Sequence, residues 1–180
     1  MNAQGRGLNK IIQATLEDAA LRPESFGAAG TFDVIEHIKD DMSFLKSVHR
    51  LLRVGGKYYG TVPAHPALWS DEDDAAGHFR RYQTHTLRTA LEQGGFEVEF
   101  VSPFFSWLVV PIALARSLPY RVRGRANPRS PSARTIRSDH TLPSGLSAPV
   151  RSIHAWELRR LRARRAIPLG SSLLWVARRR

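Results

Sequence analysis

The sequence predicts an α/β fold in which helices cover an open, largely parallel sheet, and two observations lead to this prediction. The first is the apolar run from Phe32 to Ile35, which ends in Glu36 and His37. A buried parallel strand that delivers polar side chains to the carboxyl edge of its sheet has this pattern. The second is that a helix and another strand follow, so the unit is β-α-β with a right-handed crossover. Open sheets of this kind bind ligands at that edge.

The helix of this unit can be capped by Asp40 or Asp41. Its apolar residues fall on one face of a 3.6-residue period: Phe44, Leu45, Val48, Leu51 and Leu52. Gly55-Gly56 supplies the left-handed residue that ends such a helix. Residues 57–62, rich in Tyr, Thr and Val, are expected to return as the second parallel strand.

Elements outside this unit are predicted from the same periodicities. Before the first strand we expect an amphipathic helix from Gly7 to Leu21 and a turn from Arg22 to Gly30. After residue 83 we expect a helix, a half-buried strand, a second helix and a closing strand: Thr84 to Gln93, Phe96 to Phe100, Ser152 to Arg165, and Ser171 to Ala177.

The stretch from Phe104 to Ala115 is apolar over 12 residues, too short to span a bilayer, and contains Pro111. We favour a core helix for it. An interfacial membrane contact, or a lid over the pocket of an apolar substrate, stays open as an alternative. Residues 121–149 hold few apolar residues and are expected to be flexible.

The charge of the chain is divided unevenly along its length. Residues 1–115 hold 11 Lys and Arg against 14 Asp and Glu, whereas residues 116–180 hold 16 Arg and two acids, which gives a net charge of +11. Such a tail can bind an anionic membrane surface or nucleic acid, and of these we expect a peripheral membrane contact rather than nucleic acid. A merely solvated Arg-rich face fits equally well. The absence of Cys excludes disulfides and thiolate metal sites, and with no secretory signal pattern we expect a cytoplasmic location.

The segments FDVIEHI and LLRVGGKYYGTVP, with the helix between them, resemble the fourth strand, fourth helix and fifth strand of class I S-adenosylmethionine-dependent methyltransferases. The resemblance continues through PAHPALWSDEDDAAGHFRRYQTHTLRTALEQGGFEVEFV, similar to that family's next loop, fifth helix and sixth strand. It covers roughly Gly30 to Val101, and IPLGSSLLWVARR resembles the seventh strand. The resemblance implies a Rossmann-like, doubly wound sheet, an enzyme that transfers methyl groups, and S-adenosylmethionine as its cofactor.

That family holds its cofactor mainly by a Gly-rich loop after the first strand and by an acidic residue ending the second. Neither is recognisable before Phe32, because the nearest match, Gln4 to Leu8, has no apolar strand ahead of it. The sequence therefore resembles the carboxyl-terminal part of such an enzyme, without the amino-terminal strands. We expect four regions: an amino-terminal helix and turn (1–30), a partial methyltransferase domain (31–120), a flexible Arg/Ser/Pro-rich segment (121–150), and a helix and closing strand of the same domain (151–180).

The candidate site residues lie at the strand end and in the loop after the second strand. By the resemblance, Glu36, His37 and Ile38 would line the cofactor, although Glu36 could instead cap a helix while His37 packs. The loop of residues 63–83 would form the substrate pocket, with Trp69, Arg81 and Tyr82 as its candidate substrate-binding residues.

Catalysis by this loop would use a histidine. Either His65 or His78 could act as general base, with Asp73 or Asp74 orienting the imidazole; of the two acids we favour Asp74. In the simpler alternative, Asp74 pairs with Arg81 to close the loop. His65, the acids from Asp71 to Asp74, and His78 could also bind a divalent ion, but they lack the spacing of a known motif, so we expect no metal.

Two functions follow as expectations. The first is methyl transfer from S-adenosylmethionine to a small-molecule or lipid-like acceptor, impaired if the cofactor site is incomplete. The alternative is a non-catalytic methyltransferase remnant that binds anionic surfaces through its basic tail.

Overall fold

The protein is described by a computed structural model, which covers residues 11–123 and 147–180. Its centre is a four-stranded sheet with the strand order β1-β2-β4-β3. The strands are β1 (Phe26–Phe32), β2 (Leu52–Pro63), β3 (Phe96–Phe104) and β4 (Ser172–Arg179). The helices before β3 are α1 (Asp41–Leu51), α2 (Asp71–Ala76) and α3 (Thr84–Gln93). The α/β class is therefore as predicted, but the described sheet is not largely parallel: β1 pairs with β2 in parallel, whereas β4 is antiparallel to both β2 and β3.

The first strand begins and ends earlier than predicted. It is built from FGAAGTF, where the sequence indicated a turn, while residues 35–37 form a 3₁₀ turn beyond its end. The apolar run did not mark the strand, because its buried residue Ile35 lies in the turn, after the chain has left the sheet. Strand β1 does not need an apolar run, because it pairs with β2 along one edge and most of its residues are exposed. The parallel β-α-β unit itself is confirmed.

The closing strand is present close to its predicted position; it is antiparallel and lies between β2 and β3. Gly60 of β2 faces Trp175 of β4, and the indole occupies the space that a side chain at position 60 would need. Around Trp175, which is 1% exposed, one core joins the sheet to α1 and α3. Tyr58 stacks on Phe96 within this core, with ring centroids 5.0 Å apart.

Helices α1 and α3 follow the predicted periodicity, but α1 ends at Leu51, and the Gly55-Gly56 pair expected to end it lies within β2. Asp40 caps α1 by accepting a hydrogen bond from the Ser43 amide at 3.0 Å, and α1 buries Leu45, Val48 and Leu51. Helix α3 spans the predicted residues and buries Leu87 and Leu91, although its N-cap is Gln83 rather than Thr84 or Thr86.

Two predicted helices differ from the structure. Residues 11–21 of the expected amino-terminal helix form only turns, with Ile11 and Ile12 exposed, and the rest of that segment lies outside the described residues. The last helix, α6 (Ser147–Arg162), begins five residues earlier than predicted. Trp156 and Leu158 on it are exposed, whereas Val150 and Glu157 are buried.

The apolar stretch after β3 is helical but is not a core helix. A 3₁₀ turn (Ser106–Leu108), α4 (Val109–Ile112), a π-helical turn (Ala113–Ser117) and α5 (Leu118–Arg123) run on continuously. None of the apolar residues in this helical run is buried. Its buried residue is the polar Ser117. No helix among the described residues is long and apolar enough to cross a membrane. Of the segment expected to be flexible, residues 124–146 lie outside the described part of the chain, and its two ends belong to α5 and α6.

Candidate functional site

The candidate site lies where the parallel strands β1 and β2 end. After Phe32 the chain turns at Asp33, whose φ is +52°, and the following 3₁₀ turn carries Glu36 and His37. Glu36 is fully buried, whereas His37 is exposed. The Glu36 carbonyl accepts a hydrogen bond from the Phe79 amide at 2.8 Å, which fastens the loop after β2 onto this turn.

That loop is folded and carries its own short helix. Ser70 precedes α2, and Gly77, with φ of +74°, ends it in the left-handed conformation. The amide of His65 then donates to the Tyr82 carbonyl at 2.8 Å, and the Tyr82 amide donates to Pro63 at 3.0 Å. The ends of the loop are thereby held side by side.

Asp73 is the centre of this loop and is 1% exposed. Its Oδ1 accepts from His78 Nδ1 at 2.8 Å and from Arg81 Nε at 2.7 Å. Its Oδ2 accepts from Arg81 Nη2 at 2.9 Å and from the Ser70 amide at 2.9 Å. Burial alone would raise the pKa of Asp73, but the bonds from Arg81 and His78 outweigh it and hold the pKa below its usual value. The carboxylate is therefore charged and orients the imidazole of His78.

Glu36, His37 and His78 form a polar cluster at the strand edge. The rings of His37 and His78 meet edge to face, with centroids 4.5 Å apart. One ligand atom from each of the three residues lies within 4.8 Å of the others. Both carboxylate oxygens of Glu36 are buried without a hydrogen-bond partner. Burial raises the pKa of Glu36 to about 7, which places its titration near neutral pH.

Replacing Glu36 by Gln is expected to remove a pH dependence of stability. The pKa of Glu36 is about 7 in the folded chain against 4.5 for the ordinary carboxyl, so its contribution is complete below pH 4.5 and is lost as the pH rises through 7. Across this window the wild type should lose about 3 kcal/mol relative to Glu36→Gln. Urea unfolding in chelator at a series of pH values measures this difference. A difference that stays constant with pH, as expected for the exposed control Glu92→Gln, would contradict the prediction.

The structure separates the predicted catalytic residues. His78 joins the cluster, but Asp73 rather than Asp74 orients it. Asp74 instead accepts hydrogen bonds from Trp69 Nε1 at 3.2 Å and from the Tyr120 hydroxyl at 3.0 Å. His65 has a left-handed backbone, and its Nε2 is buried without a hydrogen-bond partner.

The predicted binding residues have different surroundings in the structure. Arg81 is held by Asp73, so the expected pairing of Arg81 with Asp74 is replaced by one with its neighbour. Tyr82 is 4% exposed and donates its hydroxyl to Asp41 at 2.6 Å, which makes it part of the scaffold. The carbonyl of Ile38 accepts from Arg80 at 3.0 Å.

The sequence alone does not distinguish Asp73 from its neighbour Asp74 as the partner of the histidine. A Ser followed three positions later by an acid marks a helix start, and Ser70 and Asp73 have this spacing. The hydrogen bonds of this capping interaction direct the Asp73 side chain towards Ser70 and the protein interior. The adjacent Asp74 then faces Trp69 on the other side of the short helix.

The amino-terminal third of the chain matches a known protein family. Residues 1–60 match the family model described as a methyltransferase domain. No curated protein matches the chain.

Solved structures share the fold at low sequence identity. An S-adenosylmethionine-dependent methyltransferase from Thermotoga maritima matches with a TM-score of 0.56 and 16% identity, over 99% of this chain and 67% of that one. One from Mesorhizobium loti matches with a TM-score of 0.55 and 18% identity, over 98% and 74%.

A Haloferax volcanii complex between the Trm112 methyltransferase activator and a methyltransferase gives a TM-score of 0.51 and 12% identity, over 92% of this chain. This chain spans 59% of the chain it matches there. The chain therefore shares the fold of S-adenosylmethionine-dependent methyltransferases, and its residues 1–60 match a methyltransferase domain.

Proposed function

We propose that the chain acts as an S-adenosylmethionine-dependent methyltransferase on a small-molecule or lipid-like acceptor. The observation that carries the proposal is the cluster of Glu36, His37 and His78 at the carboxyl edge of β1 and β2. Ligands of open α/β sheets bind at this edge. The methyltransferase fold of the chain supports this choice of reaction.

Glu36, His37 and Ile38 are the residues that we assign to the cofactor. The two Glu36 oxygens need hydrogen-bond donors, and S-adenosylmethionine carries an ammonium group and ribose hydroxyls that can supply them. When bound, the cofactor supplies a methyl group activated by its sulfonium. Because Glu36 is fully buried, a direct contact requires the residues that cover its side chain to move.

His78 is the general base in this proposal. While its Nδ1 donates to Asp73, its Nε2 is free to take the proton that the acceptor's hydroxyl or amine loses on methylation. Arg81 acts through Asp73 and positions this pair. Of the predicted substrate-binding residues, Trp69 remains for the substrate side of the loop, and His65 is the second candidate base.

Calorimetric titration with S-adenosylhomocysteine in EDTA tests the proposal. We expect saturable binding in the micromolar range, about −8 kcal/mol, that S-adenosylmethionine competes with. Glu36→Gln should weaken S-adenosylhomocysteine binding at least tenfold, because it removes a carboxylate whose oxygens would accept hydrogen bonds from the ligand. The exposed control Glu92→Gln should leave this binding unchanged. Absence of binding by a chain that melts cooperatively would overturn the proposal.

A second candidate, binding of anionic membrane surfaces, is favoured by the exposed segment after β3. Val110, Leu114, Leu118 and Val122 recur every four residues on it and are 52–78% exposed. Arg123 is exposed at its end, and an open pocket of about 470 Å³ lies between its start and α6, lined by Trp107, Trp156 and Ile153. Apolar side chains beside Arg are typical of helices that lie in the membrane interface.

Co-sedimentation with vesicles of phosphatidylserine and phosphatidylcholine measures this binding. We expect salt-sensitive binding that Leu114→Ser with Leu118→Ser reduces about tenfold, with Leu169→Ser, exposed elsewhere, as the control. Equal binding to neutral vesicles would contradict a role for the basic residues.

A further inference from the structure

Glu36, His37 and His78, the cluster at the strand edge, have the composition of a metal site. This set differs from the loop residues that the sequence offered as metal ligands. One oxygen of Glu36 and one ring nitrogen each of His37 and His78 lie within 4.8 Å of one another. The Glu36 side chain is fully buried, and neither of its oxygens has a hydrogen-bond partner. An unpartnered buried carboxylate is costly, and a cation beside it would remove that cost.

The second observation is how His78 is held. Its Nδ1 lies 2.8 Å from Asp73 Oδ1, and Arg81 grips the same carboxylate with two hydrogen bonds. Histidines that bind metals are commonly fixed in this way, with the second nitrogen bonded to a carboxylate. The Asp73 contact therefore fixes the ring and leaves Nε2 as the nitrogen available to a ligand.

The surrounding charges also favour a cation. The groups acting on Glu36 are the carboxylates of Asp33 and Asp73 and the guanidinium of Arg81. Counted with Glu36 in its charged form, they sum to three negative charges and one positive charge. A divalent ion would balance this sum.

We propose that Glu36, His37 and His78 bind a divalent first-row transition-metal ion. Two imidazoles and one carboxylate form the ligand set of catalytic zinc sites and of non-haem iron(II) sites, in which further positions stay open to water or substrate. The sequence indicated no metal because His78 is 41 residues away from His37 and no short motif joins them. The turn after β1 and the loop after β2 bring them together.

The ion would change how a methyl acceptor is activated, and this step rests on the proposed function. Metal-bound Nε2 of His78 cannot also accept a proton. An acceptor hydroxyl bound at an open position of the ion would instead have its pKa lowered by the metal. The binding itself does not depend on methyl transfer.

Titration of the chelator-treated, tag-free protein with Co²⁺ tests the proposal, with the visible absorption band of the ion as readout. We expect one equivalent to bind and Zn²⁺ to displace it. Glu36→Gln, His37→Gln and His78→Gln should each weaken binding at least tenfold, and Asp73→Asn should weaken it 10- to 100-fold. His85→Gln, at an exposed position on α3, is the matched control and should bind like the wild type.

His37→Gln keeps the test independent of folding, because His37 is exposed and its recorded contact is the ring of His78. Failure of the wild type to bind one equivalent, or an equal loss in His85→Gln and His37→Gln, would overturn the proposal. The titration with S-adenosylhomocysteine in EDTA separates the two proposals. Cofactor binding without cobalt binding overturns only the metal site, and the converse overturns only the proposed function.

Discussion

Replacing Asp73 by Ala is expected to lower the free energy of unfolding by about 3–5 kcal/mol, because the change leaves the Arg81 guanidinium buried without its counter-charge. The side chains of Asp73 and Arg81 are 0% and 10% exposed, so water cannot take over the lost hydrogen bonds without the loop opening. Urea unfolding at pH 7 measures the loss. His78 should also lose its fixed orientation, since Asp73 is its recorded hydrogen-bond partner.

Asp71→Ala is the matched control for this prediction. Asp71 lies two residues away in the same helix but is exposed, so its removal should change stability by less than about 1 kcal/mol. Equal losses for Asp71→Ala and Asp73→Ala would show that the helix, rather than the buried ion pair, carries the effect.

Gly60→Ala is expected to destabilise the protein by about 3 kcal/mol or more, through overpacking at the centre of the sheet. A Cβ at position 60 would lie 2.2 Å from Trp175 Cζ2 and 2.3 Å from the Thr31 carbonyl oxygen. One of these contacts is backbone of the neighbouring strand, so relief requires β1 or the Trp175 ring to move. Thermal and urea unfolding both report the loss.

Gly27→Ala serves as the control, since a Cβ there meets nothing within 4 Å. Its stability should stay within about 1 kcal/mol of the wild type. A loss for Gly27→Ala comparable to that for Gly60→Ala would mean that strand backbone freedom, rather than contact with Trp175, decides the outcome.

The elements with strong periodicity were predictable from the sequence. The N-cap of α1 and the buried faces of α1 and α3 depend on such local patterns. The alternation expected in β3 is broken by an irregularity between Val98 and Phe100, after which Val101 rather than Phe100 is buried. Strand β1 was misplaced because it is an edge strand of small residues, whereas Ile35, the buried residue of the apolar run, lies in the turn after it. Burial and strand conformation coincide in central strands but separate at an edge.

The site was predictable in its location but not in its pairings. Glu36, His37 and His78 were candidates because polar residues gather at a strand edge and in a long loop. Whether Asp73 or Asp74 contacts His78 depends on which of the two side chains of the six-residue helix faces the interior. The capping interaction with Ser70 places Asp73 there. The apolar stretch after β3 was misjudged because hydrophobicity alone does not tell a core helix from an exposed one.

Hydrogen exchange of the wild type with and without S-adenosylhomocysteine tests the central claim most directly, namely that the edge formed by residues 33–38 and the loop of residues 63–82 is the functional site. We predict slower exchange of amides in these two segments when the ligand binds, with α6 unchanged. Binding that alters exchange elsewhere but leaves residues 33–38 and 63–82 unaffected would contradict this account.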